Sequence, residues 1–200
     1  MSHSTELPAL YRTNRFLARR KVLTLVGASF HLFDDDGELL AYSRQKAFKL
    51  KEDIRIYADE DQSIELLTIQ ADRVIDFSAA YSVIDATTGL KVGSLRRKGM
   101  ASLMRDTWEI LDDAGRVRGQ MIEDSAGLAI LRRLIDFMTI LIPQKFRVEF
   151  DGRPVASIVQ QFNPFVHKFT VELFDDGTDA PRPLLIASAI LLLAIEGRQG

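Results

Sequence analysis

The stretch PLLIASAILLLAIEG, residues Pro183–Gly197, decides the fold. From Leu184 to Ile195 eleven of twelve residues are apolar, Ser188 being the exception. As a helix rising about 1.5 Å per residue, this run is about 18 Å long, well short of the roughly 30 Å of a hydrocarbon core. It is also apolar on every side, whereas a helix lying on a surface needs a polar face. The segment must therefore be enclosed by protein. Its large side chains, at about 1.5–3 kcal/mol each, represent a burial free energy of the same order as the whole net stability of a domain.

What encloses it is legible upstream. From Lys21 to Ile122 short β-branched and aromatic runs alternate with Asp/Gly clusters, the pattern of strands joined by tight turns. Phe30–Tyr42, Tyr81–Leu95 and Trp108–Gln120 each read as strand, one or more Asp, Gly, then a second strand. Shorter echoes occur at Phe146–Ile158 and Phe169–Gly177. Gly supplies the positive φ these turns need, and Asp bonds the local backbone. Ala47–Asp59 and Glu65–Phe77 read as further strands, giving about ten to twelve. Their irregular spacing excludes a fixed-period repeat. The expected architecture is mainly β, a closed antiparallel barrel around a hydrophobic C-terminal helix. Residues 126–142 (AGLAILRRLIDFMTILI) are expected to form one further helix, either a core element across the barrel or a face offered to lipid or a partner. Residues 1–18 are expected to be a loosely ordered lead-in, and 19–200 a single domain.

Composition narrows the chemistry. The chain has 200 residues, 46% of them hydrophobic, and no cysteine, which excludes thiolate nucleophiles, disulfides and Cys-ligated metals. The formal charge is −2, so no bulk positive field favours nucleic acid, and none is expected as a partner. The opening MSHSTELPALYRTNRF lacks the apolar run of a secretory signal, and a cytoplasmic location is expected. Three histidines, His3, His31 and His167, fall in no metal-ligand spacing. No nucleophile elbow, P-loop or dinucleotide fingerprint is present, and Asp34–Asp36 and Asp112–Asp113 read as turn carboxylates rather than acid–base pairs. No catalytic residue and no cofactor are assigned.

The basic residues carry the functional reading. Arg12, Arg15, Arg19, Arg20 and Lys21 form one window, Arg44, Lys46, Lys49 and Lys51 a second, and Lys91, Arg96, Arg97 and Lys98 a third, together half of the 26 Lys and Arg. Long cations on edge strands coat solvent-facing positions and discourage aggregation. The same clusters fit an anionic headgroup, at about 1 kcal/mol per charge near a membrane. The headgroup candidates are Arg96, Arg97 and Lys98, with Gly99 admitting a phosphate to the backbone, and then Arg44, Lys46, Lys49, Arg19, Arg20 and Lys21.

RQKAFKLKEDIRIYAD (Arg44–Asp59), YSVIDATTGLKVGSLRRKG (Tyr81–Gly99) and the closing LLLAIEGRQ (Leu191–Gln199) together resemble the tubby C-terminal-like superfamily, in its LURP-one-related and phospholipid scramblase branch. The resemblance runs from about Lys21 onward and implies a twelve-stranded antiparallel barrel threaded by the C-terminal helix. The superfamily includes phosphoinositide-binding domains and proposed scramblases. Scramblase-type members carry a palmitoylated cysteine cluster, which has no counterpart here, and an acidic calcium segment before the last helix. Asp175, Asp176 and Asp179 stand in that place as weak calcium candidates, without the Gly and distal Glu of an EF-hand loop. Three readings follow: a non-enzymatic module binding anionic lipid at the cytoplasmic membrane face, a scramblase-like protein, and a regulatory scaffold that docks a protein partner.

Overall fold

The computed structural model describes residues 7–23, 27–46, 53–72, 80–98, 107–124, 143–161, 166–174 and 179–196. A short helix α1 (Ala9–Arg12) precedes twelve strands: β1 (Arg15–Leu23), β2 (Gly27–Phe33), β3 (Leu39–Lys46), β4 (Ile54–Tyr57), β5 (Glu65–Ala71), β6 (Ala80–Asp85), β7 (Leu90–Arg97), β8 (Thr107–Leu111), β9 (Val117–Glu123), β10 (Lys145–Phe150), β11 (Arg153–Gln161) and β12 (His167–Leu173). The helix α2 (Arg182–Glu196) ends the described chain. Each strand pairs antiparallel with its sequence neighbours, and β1 pairs with β12, so the sheet closes into a barrel without an edge.

Alternation decides which side chains face inward. In β1, Phe16, Ala18 and Arg20 are buried while Arg19 and Lys21 are exposed. The inward rows form one apolar core with α2, which packs most closely on β1, β5, β6, β7 and β12 and in which every residue from Leu184 to Ala194 is buried. Ser188, the one polar residue in that run, donates its hydroxyl hydrogen bond to the Leu184 carbonyl at 2.9 Å, so the helix itself brings no unsatisfied side chain into the core. The apolar tail is the barrel's filling, as its composition requires.

Because the strands run alternately up and down, the five tight turns β2–β3, β4–β5, β6–β7, β8–β9 and β10–β11 all lie at one end of the barrel, here the turn end. The far ends of the strands mark the opposite end. Gly37, Gly89, Gly115 and Gly152 hold positive φ in four of those turns. Asp34 accepts the Asp36 and Glu38 amides at 3.0 and 2.8 Å, and Asp112 the Arg116 amide at 2.8 Å, the turn roles expected of them. The Phe169–Gly177 echo provides only β12, which leads on toward α2 rather than into a hairpin partner.

The start of the domain lies earlier than Arg19. Leu10, Tyr11 and Phe16 are buried, and the Tyr11 hydroxyl donates to the Leu66 carbonyl at 2.7 Å. These apolar side chains close the turn end of the core, so residues 7–18 belong to the barrel. The helix expected over 126–142 lies outside the described residues, as do the flanks of the strands expected over Ala47–Asp59 and Glu65–Phe77 beyond β4 and β5.

Candidate anion-binding surface

While Arg12, Arg15 and Lys91 stay at the turn end, antiparallel order turns part of each basic window toward the opposite end. β1 reaches that end with Arg19, Arg20 and Lys21, β3 with Arg44 and Lys46, and β7 with Arg96 and Arg97, followed by Lys98. β12 starts there with His167 and Lys168, and β10 with Lys145. Register then sorts these residues by face.

The outer face of β12, β1, β2 and β3 carries the strongest arrangement. Arg19 stands directly opposite Lys168, two cations on neighbouring strands. Lys21 is opposite Ser29, and Ser29 is opposite Arg44, so Lys21 and Arg44 flank Ser29 about 10 Å apart at normal strand spacing. Among the described residues no carboxylate pairs with Arg19, Lys21, Arg44 or Lys168. Like charges directly across a ladder repel, so this corner of the sheet is poised for an anion. Next in the same cross-strand row, His31 faces Arg19, and its Nε2 lies 3.0 Å from Glu60 Oε1. Phe33 and Tyr42 pack on the His31 ring at centroid distances of 5.8 and 5.0 Å.

The patch ranked first from the sequence is different. Arg96 donates to Glu109 Oε2 from Nε at 2.8 Å, with Nη2 at 2.7 Å, and Lys98 Nζ lies 3.6 Å from Glu109 Oε1. Glu109 comes from β8, the strand paired with β7, and compensates much of this window's charge. Arg97, opposite Trp108, belongs to the inward row with Leu95. Arg20 is likewise no surface ligand: it is 7% exposed, with its guanidinium 6.0 Å from the Phe30 ring centre. It faces His167 across the ladder, and burial first, then the Arg20 charge, hold the His167 pKa below its ordinary value. Lys46 closes β3, while Lys49 and Gly99 lie outside the described residues.

Of the calcium candidates, Asp175 and Asp176 lie outside the described residues. Asp179 sits at the turn end, in a cleft of about 330 Å³ that also contains Lys91, Arg116 and Arg118 above Phe150 and Leu184. Arg116 is held by Asp112 at 2.8 Å and Arg118 by Asp151, and the Arg118 guanidinium lies 5.2 Å from the Phe150 ring centre. Asp179 thus has cations for neighbours. Among the described residues no group of three or more His, Cys, Asp or Glu could hold a metal ion. No helix of the described chain is long and apolar enough to cross a membrane.

Sequence reasoning missed Lys168. It is an isolated cation in HKFTVEL, and only closure of β12 onto β1 brings it to Arg19. Arg19 was legible through the alternation of RFLARRK, but its partner was not.

A closed antiparallel barrel threaded by an apolar helix, with a cationic corner on its outer wall, defines the class. The LURP-one-related family model matches residues 39–192, and the chain belongs to that family. A crystal structure of an Arabidopsis thaliana protein is 12% identical, with 94% of each chain covered and a TM-score of 0.49. No curated protein matches the chain.

Proposed function

We propose that this barrel is a non-enzymatic binding module for anionic phospholipid headgroups, and that Arg19, Lys21, Arg44 and Lys168 make the contact. The observation that carries the reading is the direct opposition of Arg19 and Lys168 with no carboxylate of the described chain to neutralise them. An anionic headgroup seated between them turns a repulsion into two charge-assisted contacts. Four cations at about 1 kcal/mol each suffice for reversible attachment to an anionic surface, and salt screens that attachment. The family match and the barrel support a binding role in general; the lipid ligand is the step taken from the charge arrangement. A scramblase reading draws nothing from α2, whose apolar residues are spent inside the barrel.

The test is co-sedimentation with phosphatidylcholine vesicles with and without phosphatidylserine. Binding should require phosphatidylserine, weaken as salt rises, and fall at least about tenfold in Arg19→Glu/Lys168→Glu, a loss of roughly 1.4 kcal/mol or more. Arg96→Gln, which leaves this corner intact, should change it little. Indifference to salt and to the double reversal would refute the reading.

A further inference from the structure

We propose that His31 and Glu60 form a pH-dependent gate on the cationic corner, so that the barrel holds anionic phospholipid several-fold more tightly at mildly acidic than at neutral pH. The proposal rests on the binding function proposed above and adds its regulation.

Register places the gate. Lys168, Arg19, His31 and Tyr42 stand in one cross-strand row, each directly opposite the next, on β12, β1, β2 and β3. Residues so paired have Cβ atoms about 5 Å apart, inside the Debye length of about 8 Å at physiological salt, so the charge state of His31 is felt at Arg19. The imidazole is held in place. Phe33 lies parallel to it, with 5° between the planes, Tyr42 meets it edge-on at 62°, and the His31 side chain is 18% exposed.

Glu60 supplies the opposing charge. It comes from the β4–β5 turn, crosses β3 and brings Oε1 to 3.0 Å from His31 Nε2. The turn that carries it is braced. The Ala58 amide donates to the Ile64 carbonyl at 2.8 Å, and the Ser63 amide and hydroxyl donate to the Asp59 carboxylate at 3.1 and 2.6 Å. Among the described residues, the titratable and charged groups that face His31 are thus Arg19 from β1, Tyr42 from β3 and Glu60 from the turn, with Lys168 one strand further.

Counting charge gives the sign. With His31 neutral, a headgroup seated between Lys168 and Arg19 lies near the Glu60 carboxylate, which opposes it. A proton on His31 compensates Glu60 through a charge-assisted contact, and the net charge of Lys168, Arg19, His31 and Glu60 rises from +1 to +2. Histidine is the side chain that changes charge between about pH 5 and 8, where carboxylates stay ionised and Lys and Arg protonated. One further positive charge beside an anionic surface strengthens attachment about fivefold.

The test is co-sedimentation with phosphatidylcholine vesicles containing phosphatidylglycerol, whose phosphodiester charge is constant across this range, at about pH 7.5 and about pH 5.5. The wild-type protein should bind about fivefold more tightly at the lower pH, and His31→Gln should lose most of that gain. Glu60→Gln, which removes the opposing carboxylate at an exposed site, should bind about fivefold more tightly than wild type already at neutral pH. Melting temperatures at both pH values establish that each variant is folded. An equal gain in His31→Gln assigns the effect to other groups, His167 among them, and overturns the gate; Glu60→Gln binding no better than wild type at neutral pH overturns it too. Binding that is indifferent to pH but weakened by Arg19→Glu/Lys168→Glu overturns the gate and leaves the lipid function standing. Absence of binding at both pH values defeats the function itself, and the gate with it.

Discussion

Leu184, in the first turn of α2, occupies the space above Gly93 of β7: a Cβ built on Gly93 would come within 2.8 Å of the Leu184 Cδ2 atom and collide with the Leu111 carbonyl. Gly93 also holds φ at +154°, beside the register shift between Val83 and Ile84 in the facing strand. The missing side chain is what lets the helix pass so close to the barrel wall. Gly93→Ala should therefore cost about 1–3 kcal/mol, the usual penalty of overpacking, read as a lower midpoint in urea unfolding. An unchanged midpoint would mean that α2 does not bear on β7.

The same enclosure sets the cost of emptying the core. Leu193 is fully buried in α2, and Leu193→Ala should lose about 2–5 kcal/mol of stability. Leu90→Ala, at a site 66% exposed, should lose little. The contrast, measured by urea unfolding of both variants, separates a helix inside the barrel from one lying on it.

Opposed cations make an unusual joint prediction. Lys168→Glu replaces a repulsive cross-strand pair with an attractive one and should raise stability by about 0.2–1 kcal/mol. It should also weaken binding to phosphatidylserine vesicles. A variant that loses both stability and binding would point instead to a structural role for Lys168.

His167 gives the molecule a pH dependence of definite sign. Burial and the facing Arg20 lower its pKa in the folded state, so below the ordinary histidine range the unfolded chain binds a proton that the native barrel resists. Stability is full above about pH 6.5 and declines as pH falls through and below that value. His167→Asn should flatten this part of the decline, seen by comparing melting temperatures of the two proteins from neutral to mildly acidic pH. A parallel decline in both would place the acid sensitivity elsewhere.

How far the site was readable depends on the range of the contacts involved. The Asp/Gly turns were legible because their chemistry is local: Asp34 bonds amides two and four residues on, and Gly37 meets a φ that its own turn demands. The three basic windows were legible as charge. Their ranking was not, because Arg96 is compensated by Glu109 from the next strand, and Arg20 and Arg97 turn inward by an alternation whose phase depends on which neighbours pack the core.

By itself, the sequence determined that a closed antiparallel wall must surround the apolar stretch from Leu184 onward, since neither water nor a bilayer could accommodate it. That conclusion needs only the length of the run and its lack of a polar face. Only the tertiary structure decided which cations stand together. Arg19 meets Lys168 because closure of the barrel pairs its first strand with its last, and the Asp/Gly turns share one end because alternating strand direction sends every tight turn one way. Electrostatic interaction follows distance in space, and proximity between residues so remote along the chain exists only once the ring is shut.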